Sequence, residues 1–274
     1  MGPLLTEEIN DRLLEARGRA PTLECSLDLG RSTVQVLLAA DCWTHADCDY
    51  PYLEKCKPRT VYYWDGDAFE PVSRYTTSLI KLVPTPWGAP TFEIDGIKML
   101  PSETVSPYAD AVRKVGLIQP RGKVILDTCG GLGYFATCCL EAKAARVLSF
   151  EKNPDVLWLR TVNPWSPQPG PATDAVLDLQ LGDITVAITT LPDRSVAAIL
   201  HDPPRFGIAG ELYSQAFYEQ LARVIEPRGR MFHYTGTPNR ITSGRNVPEE
   251  VATRLRRAGF ATELNGDGVV AIRR

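Results

Sequence analysis

The chain has 274 residues, 44% hydrophobic and 23% charged, the composition of a globular protein with a sizeable core rather than a disordered or fibrous one. A formal net charge of −3 excludes a generic basic nucleic-acid binder, which needs a broad cationic surface, and no apolar run reaches membrane-spanning length. The N-terminus is polar and acidic with no export signal, and seven cysteines are an odd number, so reduced thiols and a cytoplasmic location are expected.

Residues 5–17 carry helical apolar spacing. From about residue 22 to 100, short β-branched and aromatic segments follow (STVQVLLAA, RTVYYWDGDAFEPV, TSLIKLV, TFEIDGIKML), with Asp65-Gly66 and Asp95-Gly96 as hairpin signals. A small antiparallel β unit is predicted there. Within it Cys42, His45, Cys48 and Cys56 cluster, but their spacing lacks the paired knuckles of a structural zinc site, and no metal is expected. From about residue 120 the pattern becomes strand, turn, helix, repeated. KVILDTC leads to a helix from about Gly133 to Ala144, ARVLSFEKN to DVLWLRTVN, LQLGD to ITVAITTL, and VAAILHD to ELYSQAFYEQLARVI. GRMFHYTG, the helix PEEVATRLRRAG and the pair FATELN and GVVAIR complete the chain. Such alternation predicts an α/β fold with a parallel sheet, closed by an antiparallel C-terminal strand pair. The expected division is residues 1–105, helix plus β-rich unit, and 106–274, with the Pro-rich loop 163–174 inside the second part. Seven arginines concentrate near the C-terminus (Arg240, Arg245, Arg254, Arg256, Arg257, Arg273 and Arg274), fitting either a polyanionic partner or a solvated helix face.

In an open parallel sheet, ligands bind beyond the carboxyl ends of the strands. After the first strand come Asp127, Cys129, Gly130, Gly131 and Gly133, a loop that turns tightly and brings backbone close to a ligand. The second strand ends at Glu151, followed by Lys152. A carboxylate about twenty residues past the glycines suits a ribose diol, and also a helix N-terminus. The third ends at Asp183, followed by Ile184: an acceptor for an adenine amine with an apolar wall, or simply an N-cap. The fourth ends in His201-Asp202-Pro203-Pro204-Arg205-Phe206. Two prolines remove two N–H donors and fix φ, and Asp202 adds a carboxylate, so this corner is rich in acceptors and suits a substrate amino group. His201 is placed against the cofactor or acceptor pocket.

These four segments (VILDTCGGLGYFA, FEKNP, LGD and HDPPRF) resemble the successive motifs of class I S-adenosylmethionine-dependent methyltransferases, and the acid–proline–proline element resembles the signature of enzymes that methylate amino nitrogens. More narrowly, DTCGGLGYFA, NPWS, HDPPRFGIAGELYSQAFYEQLARVIEPRGRMFHYTG and RLRRAGF are similar to a family of predicted archaeal methyltransferases, a likeness that extends to LDLGRSTVQVLL and so over most of the chain. The resemblance implies a Rossmann-like methyltransferase sheet, S-adenosyl-L-methionine as cofactor, and an exocyclic amino group of RNA, cytidine N4 in ribosomal RNA, as acceptor. It further implies cofactor contacts from Asp127, Cys129, Gly130, Gly131, Gly133, Glu151, Lys152, Asp183, Ile184 and His201, and an acceptor corner of Asp202, Pro203, Pro204 and Phe206. Arg205 stands where the signature usually has an aromatic residue, which leaves stacking to Phe206, Tyr134 or Tyr108. Other readings of the same loop are a nicotinamide-dependent dehydrogenase, an aminopropyltransferase, a methyltransferase acting on a protein or small amine, and a non-catalytic RNA-binding scaffold. The N-terminal unit is read as substrate recognition in preference to a cap on the sheet edge.

Overall fold

The computed structural model describes residues 2–236 and 246–274. The chain divides into two compact units, residues 1–109 with 158–166, and residues 110–157 with 167–274.

The first unit begins with a short strand, β1 (Leu4–Leu5), and helix α1 (Glu7–Ala16), capped by Thr6 and buried through Leu13. Three antiparallel sheets follow. One joins β1 to β6 (Tyr62–Trp64) and β7 (Phe69–Pro71). A second runs in sequence through β2 (Thr22–Cys25), β3 (Val34–Leu38), β4 (Cys42–His45) and β5 (Cys48–Pro51), and a third through β8 (Ser73–Tyr75), β9 (Leu79–Val83), β10 (Thr91–Ile94) and β11 (Ile97–Lys98). Asp95 and Gly96, both at positive φ (48° and 78°), form the two-residue turn between β10 and β11 that the sequence signals. The core centres on Trp43, fully buried and stacked on Tyr50 at 4.7 Å. Part of the Pro-rich segment belongs to this unit: Trp165 donates to the Leu29 carbonyl at 3.0 Å, and Arg74 lies 3.9 Å over the Trp158 ring. Residues Pro171–Asp174, also within that segment, form a helical turn. Among the described residues no three His, Cys, Asp or Glu side chains converge as a metal site, and no two of the seven cysteines are joined in a disulfide. No described helix is long and apolar enough to cross a membrane.

The second unit is a seven-stranded sheet. Its strands are β12 (Val124–Asp127), β13 (Arg146–Glu151), β14 (Leu177–Leu181), β15 (Val196–His201), β16 (Ile225–Tyr234), β17 (Phe260–Asn265) and β18 (Gly268–Arg273), in the order β14-β13-β12-β15-β16-β18-β17. The first five are parallel and β18 is antiparallel to both neighbours, the mostly parallel Rossmann-like sheet with a C-terminal antiparallel pair that the sequence leads one to expect. The last pair is a hairpin in sequence, yet β18 inserts between β16 and β17, so β17 becomes the edge. Helices α2 (Pro107–Ile118), α3 (Tyr134–Glu141), α4 (Pro154–Val162), α6 (Ile184–Ala187), α7 (Gln215–Val224) and α8 (Val247–Arg257) accompany these strands, α5 being the turn at 171–174. Helix α7 buries Phe217, Tyr218 and Leu221 in a core shared with Ile199, Met231 and Leu255. Arg240 and Arg245 lie outside the described residues.

Candidate active site

Four strands deliver an acid at or just beyond their carboxyl ends, and the register aligns them along one edge: Asp127 lies opposite Ser149 and Leu200, Glu151 opposite Leu181, and Asp202 follows the paired His201 and His233. Asp127 is buried and accepts from Ser149 Oγ at 2.8 Å, which ties β12 to β13. The glycine loop after it is built on positive φ at Gly131 (48°) and Gly133 (81°), the latter capping α3. Gly130 donates to the Phe150 carbonyl at 2.8 Å. Glu151 holds the loop directly, Oε2 accepting from Gly131 N at 2.9 Å and Oε1 from Asn153 N at 2.9 Å. Each of these oxygens retains a lone pair for a further donor. Burial lifts the Cys129 thiol far above its ordinary range, so it stays protonated and is no nucleophile.

Asp183 does cap α6: Oδ1 accepts from Thr185 N at 2.8 Å and Thr185 Oγ1 at 2.7 Å. Burial alone would raise its carboxyl, but the Thr185 hydrogen bonds and Lys152 outweigh it and hold it below the usual range. Ile184 is buried in the core, and Lys152 is exposed, 3.8 Å from Glu211.

His201 is fully buried, unlike the pocket-lining residue expected from the sequence. Nε2 lies 3.1 Å from the Leu212 carbonyl and must donate to it, so Nδ1 accepts from Thr128 Oγ1 at 2.7 Å. Both nitrogens are spent on tying β15 to the glycine loop and to residue 212, because a neutral imidazole has one donor and one acceptor. Burial lowers its pKa to about 4. His233 is likewise buried, its Nδ1 donating to the Tyr234 carbonyl at 2.7 Å and its Nε2 accepting from Tyr218 Oη at 2.8 Å.

The acceptor corner is more elaborate than the sequence suggests. Tyr213 Oη donates to the Pro204 carbonyl at 3.0 Å, while the Pro203 carbonyl accepts from no group among the described residues. Phe206 is 36% exposed and meets the Tyr213 ring edge-on, centroids 5.5 Å apart. Tyr134 is buried in α3, and Tyr108 packs on Trp165 in the other unit, so both are less exposed than Phe206. The residue that sequence reasoning missed is Lys114. Its side chain is 2% exposed and its ammonium lies 2.9 Å from Asp202 Oδ2, 2.8 Å from Asp110 Oδ2 and 4.3 Å from the centre of the Tyr234 ring. Arg113 continues the line, pairing with Asp110 Oδ1 at 2.8 Å and Asp267 Oδ1 at 2.7 Å. Burial would lower the Lys114 pKa, but Asp202 and Asp110 reverse this and keep it charged. Asp202 is pushed above the ordinary carboxylate range by burial, opposed by Lys114 and assisted by Asp110 and Asp267. A signal was present: Ser106-Pro107 as a helix start, then Asp110 and Lys114 four apart on one face.

The chain is 39% identical over 215 residues to the uncharacterised protein MJ1233 of Methanocaldococcus jannaschii, spanning 76% of this chain and 72% of that one. It belongs to the MJ1233 family. No protein-family profile matches it. Among solved structures, a spermidine synthase bound to the transition-state analogue AdoDATO superposes with a TM-score of 0.55 at 13% identity, covering 73% of this chain and 72% of the other. The spermidine synthase of Thermotoga maritima gives 0.52 at 12% identity (73% and 71%), and MnmC2 of Aquifex aeolicus 0.51 at 19% (72% and 71%). At such identities the likeness of the MJ1233-family chain to these proteins is one of fold.

Proposed function

We propose that this protein is an S-adenosylmethionine-dependent N-methyltransferase whose acceptor is an exocyclic amino group of a nucleobase in RNA, with cytidine N4 of ribosomal RNA as the specific assignment. The observation that carries the reading is the Asp202-Pro203-Pro204 corner at the end of β15: a half-open carboxylate and an unengaged proline carbonyl beside a glycine loop on the same strand-end edge. The donor set fits an adenosine-bearing cofactor. Glu151 keeps lone pairs for two hydroxyls, Asp183 Oδ2 for an amine, and the Gly130–Gly133 backbone carries no side chain at 130, 131 or 133 to obstruct a ligand. When bound, S-adenosylmethionine supplies a methyl group already activated on sulfonium, so the protein's task is chiefly alignment.

Asp202 Oδ1 and the Pro203 carbonyl accept the two N–H bonds of the amino group. That would withdraw the nitrogen lone pair from ring conjugation and leave it directed away from the two acceptors. As the nitrogen becomes cationic, the Asp202 carboxylate attracts it more strongly than it attracts the neutral amine, which lowers the barrier selectively. The donor would leave as its demethylated product, and the methylated nitrogen, then acidic, would release its proton to solvent, so no dedicated strong base is needed. Phe206, 36% exposed, is the ring assigned to stack on a flat base, which must be single-stranded or flipped from a helix.

The test is transfer of isotopically labelled methyl to unmodified ribosomal RNA, followed by nucleoside mass spectrometry. Labelled N4-methylcytidine is expected. Asp202→Ala should lower turnover by about a hundred- to a thousandfold, on the scale of losing a transition-state electrostatic contact, with donor affinity nearly unchanged. An RNA unlabelled at cytidine sends the assignment to a protein or small-amine acceptor. A second reading, aminopropyl transfer, draws on the spermidine synthase fold likeness. Turnover of a decarboxylated donor with a diamine, and none with S-adenosylmethionine, would favour it.

A further inference from the structure

Five charged side chains run in alternating sign across the second unit: Asp267, Arg113, Asp110, Lys114 and Asp202, with successive separations of 2.7, 2.8, 2.8 and 2.9 Å. Three carboxylates face two cations, so the line carries one unbalanced negative charge. Its middle is closed, with Lys114 and Asp110 both buried. Its outer end is Asp202, whose Oδ2 is held by Lys114 while Oδ1 accepts from no group among the described residues. Around that carboxylate stand Lys114 and Asp110 from α2, Asp267 from the β17–β18 turn, Tyr234 from β16, Tyr213 after the proline corner, and Cys129 in the glycine loop. Lys114 itself is saturated by two carboxylates and an aromatic face, which rules it out as nucleophile or base.

We propose that Lys114 is the positioning residue of the acceptor site: it fixes Asp202 by one oxygen and leaves Oδ1 as the sole carboxylate contact for an acceptor that arrives neutral and turns cationic. The cation formed in transfer completes the alternation and neutralises the line. An acceptor bearing its own negative charge beside the reacting atom meets an uncompensated carboxylate and is rejected. This assignment rests on the amino-group reading above for its chemistry, but the state of Asp202 can be followed without any substrate.

The experiment is titration of the Asp202 carboxyl by 13C NMR in the full chain, assigned with Asp202→Asn, alongside the pH profile of kcat. Lys114→Met should raise the Asp202 titration by more than about one pH unit, the usual effect of removing a contacting opposite charge, and shift the acid limb of kcat upward by the same amount. Lys114→Arg, which keeps the charge, should lie nearer wild type. Asp267→Asn removes a like charge from a partly exposed position and should move the titration the other way, by a fraction of a unit. If Lys114→Met does not fold, the direction of the Asp267→Asn shift decides. An Asp202 titration unmoved by these substitutions overturns the clamp even where methyl transfer is seen. A titration that moves as expected in a protein without N-methyltransferase activity upholds the clamp and overturns the reaction assigned to it.

Discussion

At the scale of single residues, the two buried histidines show how a chemically suggestive side chain can be structural. The position of His201 at a strand end beside an acid was legible in HDPPRF; its burial was not, because exposure depends on residue 212 and its neighbours folding over it. The neutral form is built into the fold, since Leu212 accepts from one His201 nitrogen and Thr128 donates to the other. Unfolded, His201 takes a proton near its ordinary value of about 6.5; folded, it resists until about 4. The unfolded state therefore binds more protons between these values, and stability falls as pH drops through that window. His201 alone should remove about 3 kcal/mol on acidification from pH 7 to 4. Urea unfolding at stepped pH checks this, and His201→Gln should flatten the dependence. A wild-type profile level between pH 7 and 4 would contradict the buried neutral pair.

Elements were read from the sequence with uneven success, and the reason is physical. The β12–α3 and β15 segments declare themselves because a continuous apolar run ends at an acid and then at glycine or proline. Helix α2 has mixed faces with Lys114 and Asp110 on its buried side, a pattern that local apolar periodicity does not reveal. The hairpin at Gly266–Gly268 was visible from its turn residues, but the insertion of β18 between β16 and β17 is a tertiary outcome. Gly268 is where that insertion is tightest: a Cβ there would lie 2.5 Å from both the His233 carbonyl oxygen and the Phe232 ring. Since backbone cannot move aside as a flexible side-chain tip can, Gly268→Ala should destabilise the second unit by about 1–3 kcal/mol. Denaturant midpoints of the two proteins measure it, and equal midpoints would show that β16 and β18 are not packed this closely.

For the whole molecule, the fold narrows the chemistry without choosing it, because one Rossmann-like architecture hosts several unrelated chemistries. What separates these is which small molecule stabilises the folded chain. A ligand at a hundred times its Kd adds about 2.7 kcal/mol to the free energy of unfolding. In a unit of this size that corresponds to a melting shift of roughly 5–10 °C. S-adenosylmethionine and its demethylated product should each produce such a shift, and NADH should not. Glu151→Ala removes the carboxylate that anchors Gly131 and Asn153 and that faces the proposed ribose, so the same ligand concentration should give a much smaller shift. A full shift in that variant would place the adenosine elsewhere on the sheet edge. A shift with NADH and none with S-adenosylmethionine would transfer the glycine loop to hydride chemistry, for which the line from Asp267 to Asp202 offers no use.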